Sequence, residues 1–469
     1  MSQKGAVSKN QEAVIIDNVT ALTTSGNHQG AMRSINDGLT QFPNSVALLT
    51  KKSQILFLNR EYQLAIDFIE SATTCDIRLE IIKAKSWHAL SQSELAKDLL
   101  ETLRLEYCRS IEDANMLDLA LADILMDQMH HKKAMLLYKT VLRSNPRNTE
   151  SLDALWNIYN DASDYPKCIL YLHELLNDDA YNDYAWMHLG NAYFFHNQKL
   201  NAAHAFDMVY TINDTNTEAL FMYAQCLKEG ARYEKAIAAY NRLVDQEANS
   251  TKHHLFLDLS ECYLAVENYN LAYFYASKYQ MEDKTNWYAL LLKGICLVRH
   301  HNHHEAIENY EAALKIAGNQ TLILINLALA HYHVGEQKAA FDYFMTALDN
   351  APDNFQYWQF VIEFLYKHKD YDSASIVAEN AKDIFKNDLS SIIYMSSLFK
   401  IGDKVGAYNA VNHFKTFDEQ LVQKLLTYNP ELKDDAQFRG FYRYCANQPE
   451  LPETEDAKFD LPDGYIEFA

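Results

Sequence analysis

The sequence predicts an all-α chain built as an array of helix pairs, and three observations carry that prediction. The 469 residues hold only 13 Gly and 8 Pro, the two residues that helix interiors exclude. Residues 186–209, WMHLGNAYFFHNQKLNAAHAFDMV, and 290–313, LLLKGICLVRHHNHHEAIENYEAA, share one pattern: Gly190 or Gly294, then Ala202 or Ala306 twelve positions on, then Phe206 or Tyr310 four beyond. Followed along the chain, the same anchor falls at Ala31, Ala65, Ala96, Ala134, Cys168, Ala202, Ala236, Ala272, Ala306, Ala340, Ala374 and Ala407. The intervals are 34, 31, 38, 34, 34, 34, 36, 34, 34, 34 and 33, the self-similarity of one repeated supersecondary unit.

Trp186, Leu189, Gly190, Tyr193, Ala202 and Phe206 sit within the best unit, about 183–216. On these residues and the 34-residue period the chain resembles the tetratricopeptide repeat family, whose unit is two antiparallel helices. The resemblance covers about 14–416. It implies an α-solenoid, a right-handed superhelix of about twelve helix pairs, with a concave groove lined by the first helices that holds a peptide or a partner segment.

In chain order, residues 1–13 are expected to be a flexible segment and 14–416 the repeat array. The matches are weakest at the ends and at 76–117, where the intervals slip, so an irregular junction is expected near 104–117. A two-residue irregularity is expected at 249–252. Pro43, Pro146 and Pro352, each twelve residues past an anchor, end second helices. Small residues at Gly190, Ala224, Ser260, Gly294 and Ala328 mark where the helices of a unit cross. Large ones at Tyr138, Leu172, Phe206, Tyr240, Tyr310 and Phe344 are expected to pack on the following unit. Residues 417–447 read as one or two capping helices broken at Asn429 and Pro430, since a terminal repeat needs a polar cover. The last stretch, 448–469, is acidic, Pro-bearing and expected to be disordered, with Phe459, Leu461, Tyr465, Ile466 and Phe468 as peptide-like anchors.

The 42 Lys and Arg against 63 Asp and Glu give a charge of −21, which argues against nucleic acid or an anionic membrane as the main partner. The first fourteen residues hold no apolar run of signal-peptide length. The strongest apolar run, Leu322 to Ala330, is broken by Asn326 and is too short to span a bilayer. A cytoplasmic protein is the expectation. Seven widely spaced cysteines without a CxxC pair fit a reducing compartment.

His300, His301, His303 and His304 invite a metal reading, with His331 and His333 one repeat later. Counted from Ala306 they fall in the turn between two helices, where MHHKK at 129–133 and FHNQK at 195–199 also place polar residues. The expectation is a solvated turn and no metal site. Cys226, Cys262 and Cys296 each lie ten residues before an anchor, the signature of a buried slot rather than a nucleophile. No phosphate loop, HExxH, GxSxG or kinase motif is present in the sequence, so neither catalytic residues nor a cofactor are assigned.

Carrying the family's inward positions onto this sequence gives Glu150, Asp153, Asn157 and Asp161, then Tyr184, His188, Asn191 and Phe195, then Phe221, Met222 and Gln225. Further along come Asp258, Leu291, Ile295, Asn326, Leu329, Tyr332 and Gln359. The best candidates for a partner-binding groove are Asp153, Asn157, Tyr184, His188, Asn191, Phe195, Phe221, Met222 and Gln225. Amides there can bond a peptide backbone while aromatics take its side chains. Family members that clamp a C-terminal carboxylate use Lys, Asn and Arg over three units. Asn157 and Asn191 match, but Asp153 or Met187, Glu218 and Met222 stand where cations are needed, so this clamp is not expected. The function expected is a non-enzymatic scaffold for a protein or peptide partner. The alternative is a self-assembling homo-oligomer regulated by its own acidic tail.

Overall fold

The computed structural model describes residues 2–74, 76–246, 253–386, 388–410 and 419–440. Among these every regular element is helical. The chain divides into two compact units, 1–232 and 233–469.

The first unit holds α1 (Ser2–Thr24), α2 (His28–Gln41), α3 (Val46–Leu58), α4 (Tyr62–Ser71), α5 (Ile77–Ala89), α6 (Ser93–Glu106), α7 (Ile111–Asp127), α8 (His131–Ser144), α9 (Thr149–Asp161), α10 (Tyr165–Asp178), α11 (Asp183–Phe195), α12 (Lys199–Ile212) and α13 (Thr217–Glu229). The second holds α14 (Tyr233–Gln246), α15 (His253–Ala265), α16 (Tyr269–Glu282), α17 (Trp287–Arg299), α18 (His303–Ala317), α19 (Thr321–His333), α20 (Gln337–Asn350), α21 (Phe355–Lys367), α22 (Tyr371–Phe385), α23 (Asp388–Ile401), α24 (Lys404–Ala410) and α25 (Glu419–Tyr428). Odd-numbered helices up to α23 are first helices of a repeat and even-numbered ones second helices, the succession of an all-α tetratricopeptide-type solenoid.

All twelve anchors lie on second helices and are buried; eleven are Ala with no exposed surface, and Cys168 is 2% exposed. A methyl group at the crossing lets two backbones approach closely, which a longer side chain would prevent. The small residues opposite have an equally specific cause. A Cβ on Gly190 of α11 would stand 2.6 Å from the ring of Phe206 on α12, and one on Gly294 of α17 would overlap Tyr310 on α18. These rings therefore pack on the first helix of their own repeat, not only on the next repeat as expected. The slot is there because the ring fills it. Ser260 uses the same position differently, its Oγ donating to the carbonyl of the anchor Ala272 at 2.9 Å.

The helix starts recur with the same period. Asn148, Asn182 and Asn216, each 34 residues apart, accept from the backbone N–H three residues on at 2.8, 3.0 and 3.0 Å, the N-cap bond that satisfies an otherwise orphaned donor. Between the helices of a repeat, the turn places one residue in the left-handed region: Arg60, Ser91, Met129, Ser163, Asn197, Ala231, Glu267, His301, Gly335 and Lys369. At His301 the paired closing bonds are His301 N–H to Val298 O, 2.8 Å, and Asn302 N–H to Leu297 O, 2.9 Å. This is a Schellman turn, and HHNHH spans it as other residues span the equivalent turn of other repeats.

The irregular intervals resolve into helix lengths. The 38-residue step comes from α7, which is 17 residues long where α9, α11 and α13 are 13; the link expected to be irregular is short and capped by Ser110. The 31-residue step comes from α4, 10 residues against the usual 14. The third irregularity lies between Gln246 and His253, outside the described residues. At the start of the chain α1 reaches back to Ser2, so helix continues through the segment expected to be flexible. At the far end α25 buries Leu421, Val422, Leu425 and Leu426 with Ile392 and Met395 of α23, and the chain breaks at Asn429 before a short 3-10 turn, Pro430–Lys433. The acidic tail, 448–469, lies outside the described residues.

Candidate functional site

Within the first unit the inward positions of α9, α11 and α13 carry the candidate groove residues. α9 begins with the Asn148 cap and presents Glu150, Asp153, Asn157 and Asp161 at spacings of 3, 4 and 4, one stripe of a 3.6-residue helix, and all four are exposed. On α11, Tyr184 and Phe195 are 49% and 56% exposed and Asn191 is half-buried. Phe221, Met222 and Gln225 on α13 are half-buried.

His188 departs from the expectation. It is only 8% exposed and forms part of the floor rather than a contact surface. Its Nε2 meets Asp153 Oδ1 at 3.0 Å, and Trp156 lies against its ring, centroids 5.8 Å apart. Burial holds the imidazole below its usual pKa, with Asp153 acting in the opposite direction. A largely neutral ring that cross-links α9 to α11 is a structural strut.

Trp156 is the residue that sequence reasoning missed. It occupies the crossing position, twelve before Cys168, where neighbouring repeats have Ala122 and Gly190. An indole cannot fit between two closely crossing helices, and α9 and α10 make fewer close backbone approaches than any other helix pair of one repeat in this unit. Its ring turns to the next repeat instead, 6.0 Å from Phe195, which itself stacks on Tyr165 of α10 at 5.9 Å and 14°. The signal was available in the sequence as a departure from the small-residue rule.

A second feature was also not anticipated. The first helices α3, α5 and α7 enclose a cleft of about 580 Å³, floored by Phe57, Leu58, Ile81, Met116 and Leu119, with Arg78 and Lys85 on α5 and Glu150 of α9 at its edge. Lys85 is held by Asp123 at 3.0 Å. The cleft adjoins the α9 stripe through Glu150.

In the second unit the inward assignment fails at four positions. Leu291, Ile295, Asn326 and Leu329 are 1%, 4%, 0% and 0% exposed, because α17 and α19 are apolar on nearly every side and are enclosed by their neighbours. The histidines gather at the turns: His303 lies face to face with His333, centroids 5.1 Å apart, and His301 and His368 stand 6.2 and 6.3 Å from that pair. Among the described residues no three His, Cys, Asp or Glu are grouped to hold a metal ion. Cys226, Cys262 and Cys296 have no exposed surface, and burial pushes the Cys226 thiol up to about 12. Among the described residues no helix is long and apolar enough to cross a membrane.

Comparison with known proteins agrees with the helix pairs. Two family models described as tetratricopeptide repeat match residues 218–250 and 291–355. A tetratricopeptide repeat protein 30 homolog of Drosophila pseudoobscura pseudoobscura is 24% identical over 193 residues, 40% of this chain and 28% of that protein, so the chain matches under a third of the relative's length. Among solved structures, the Cut9–Hcn1 hetero-tetramer of the APC/C covers 82% of this chain and 89% of its own at 14% identity and a TM-score of 0.38. The C-terminal part of a repeat-containing protein from Cytophaga hutchinsonii covers 51% and 97% at 16% identity and a TM-score of 0.40. The period of the anchors, the helix pairs that realise it and the two matched repeat models agree on an all-α tetratricopeptide-type solenoid, with tetratricopeptide repeats matched at residues 218–250 and 291–355.

Proposed function

We propose that the protein is a non-enzymatic interaction scaffold that holds an extended segment of a partner protein along the inward stripe of α9, α11 and α13. The repeat fold supports a protein-interaction role in general. The observation that carries the finer reading is the exposed ladder on α9 and α11, where Asp153, Asn157, Tyr184 and Phe195 stand in water above a floor braced by Trp156 and His188. Large aromatics left half-exposed beside acceptors and amides are the side chains that dominate partner binding when covered. A rigid floor lowers the entropy lost on binding.

The test is capture of partners from an extract by the full chain and by a Tyr184→Ala, Phe195→Ala variant, read by mass spectrometry. Loss of a defined subset of partners from the variant supports the groove. Identical partner sets from both proteins refute it.

A further inference from the structure

The charge around this ladder selects among partner chemistries. Asp153, with 58% of its side chain exposed, lies between Glu150 and Asp161 on one face of α9, and neither of the latter forms an ion pair among the described residues. Several nearby cations are already engaged: Lys167 of α10 with Asp164, Lys199 of α12 with Glu229 at 2.7 Å, Arg147 with Asp179, and Lys139 of α8 over the Tyr171 ring, 4.3 Å from its centroid. On α9 itself Trp156 follows Asp153 by three residues, and its ring continues to Phe195 and then Tyr165, with centroids 6.0 and 5.9 Å apart. Carboxylates on one side and π-faces on the other is the arrangement that attracts an ammonium or guanidinium group.

We infer that the partner segment is cationic: two neighbouring Arg or Lys side chains lie over Phe195 and Trp156, one with its charge at Asp153 and the other at Asp161, and apolar residues next to them enter the cleft of α3, α5 and α7. This rests on the groove reading above and names its ligand class. Glu150, which borders both the cleft and the acidic stripe, sets the order of the segment, apolar residues at one end and the cations at the other. Glu150 and Asp153, three residues apart on α9, lie about 5 Å apart along the helix axis and within a Debye length at physiological salt, so they act together on an incoming cation, and Asp161 lies about two turns further along the same stripe.

The test uses the full chain and three fluorescein-labelled decapeptides of alternating Ser and Leu whose last two residues are Arg-Arg, Gln-Gln or Glu-Glu, read by fluorescence anisotropy. The expected result is that Arg-Arg binds about tenfold more tightly than Gln-Gln, and Glu-Glu weakest. An Asp153→Asn, Asp161→Asn variant should lose that preference while keeping its Gln-Gln affinity. An Asp37→Asn, Asp67→Asn variant, with the same change of net charge on exposed positions of α2 and α4, should keep it. Equal affinities for Arg-Arg and Glu-Glu, or an equal loss in the α2 and α4 variant, overturn the cationic assignment. If Tyr184→Ala, Phe195→Ala removes Gln-Gln binding while no charge preference is found, the groove stands and only the ligand class fails. If no peptide binds, or that variant binds unchanged, both readings fail.

Discussion

His303 at the start of α18 and His333 at the end of α19 lie face to face across two consecutive repeats, ring planes 18° apart. In register they are the counterparts of Tyr165 and Phe195, since 303 − 165 and 333 − 195 both equal 138, and that pair also stacks, at 14°. The second unit has placed two titratable rings in a slot that the first fills with rings of fixed charge. Burial, and then neighbouring histidines, hold both imidazoles below the usual 6.5: His301 and His304 act on His303, and His303, His368 and His301 act on His333.

This arrangement predicts that stability falls on acidification. A depressed imidazole pKa means the unfolded chain takes up protons first, so the contribution is intact above 6.5 and is lost as pH falls below it towards the folded values. Replacing the pair by its register counterparts, His303→Tyr and His333→Phe, should leave melting at pH 7.5 little changed and raise the melting temperature at pH 5.5 by a few degrees. An equal pH dependence in variant and parent would show that the stack does not titrate within the folded range. Nearby Glu305 is engaged by Asn302 at 2.7 Å, and Tyr332, beside His333 and His368, keeps its proton because burial raises its pKa.

The contact between Gly190 and Phe206 gives a second prediction. In an exposed helix interior, Gly→Ala stabilises by about 0.5–1 kcal/mol. At Gly190 the added methyl meets a fully buried ring at 2.6 Å, and overpacking costs about 1–3 kcal/mol. Gly190→Ala should therefore lower the midpoint of urea unfolding, and Phe206→Leu in the same chain should recover part of the loss. A gain in stability from Gly190→Ala alone would mean that the helices part freely at this crossing.

How much of this was legible follows from the same residues. The anchors were readable because a small buried side chain recurs at twelve crossings, eleven times Ala and once Cys168, and repetition turns a weak preference into a strong signal. The cleft was not, because α3, α5 and α7 lie where the short α4 and long α7 shift the intervals to 31 and 38, and counting from the anchor no longer places an inward residue. Asn326 misled for another reason. A polar residue on a first helix reads as groove-facing, yet its Nδ2 donates to the Leu322 carbonyl at 2.9 Å within its own helix, which is how an amide is accommodated in a core. Trp156 broke the small-residue rule at the site itself, where local rules are expected to be broken.

The cysteines offer a third prediction. Cys168, Cys226, Cys262 and Cys296 are 2% exposed or less, and the first two thiols are pushed up to about 12 by burial. Cys108 is partly exposed. Because the thiolate is the reactive species, brief labelling of the native chain with a maleimide should modify Cys108 and spare these four, and labelling in urea should modify these four as well. Mass spectrometry of the digested protein reads the result. Native labelling at Cys226 or Cys296 would show that their repeats open without global unfolding.

The fourth prediction concerns Asp118 of α7, which is 1% exposed, and Arg104 of α6. Arg104 donates one hydrogen bond, from an Nη nitrogen to Asp118 Oδ2 at 2.9 Å, and its Nε lies 2.6 Å from Oδ1. Burial raises the Asp118 pKa and Arg104 opposes it, so a carboxylate enclosed at this position of α7 is held by a partner on the preceding helix. Removing one partner of a buried pair leaves an uncompensated charge, a loss of about 3–5 kcal/mol in enclosed sites. Arg104 is 41% exposed in its side chain, which places Arg104→Met at the low end of that range. The loss should be largest at pH 7 and smaller at pH 4.5, where the abandoned carboxyl, its pKa raised further, takes up a proton. A double variant, Arg104→Met with Asp118→Leu, should recover most of the stability, because a packed apolar pair matches an ion pair in such a position. If the single variant is as stable as the parent at pH 7, water reaches Asp118 in solution and the burial seen at this junction does not govern its charge.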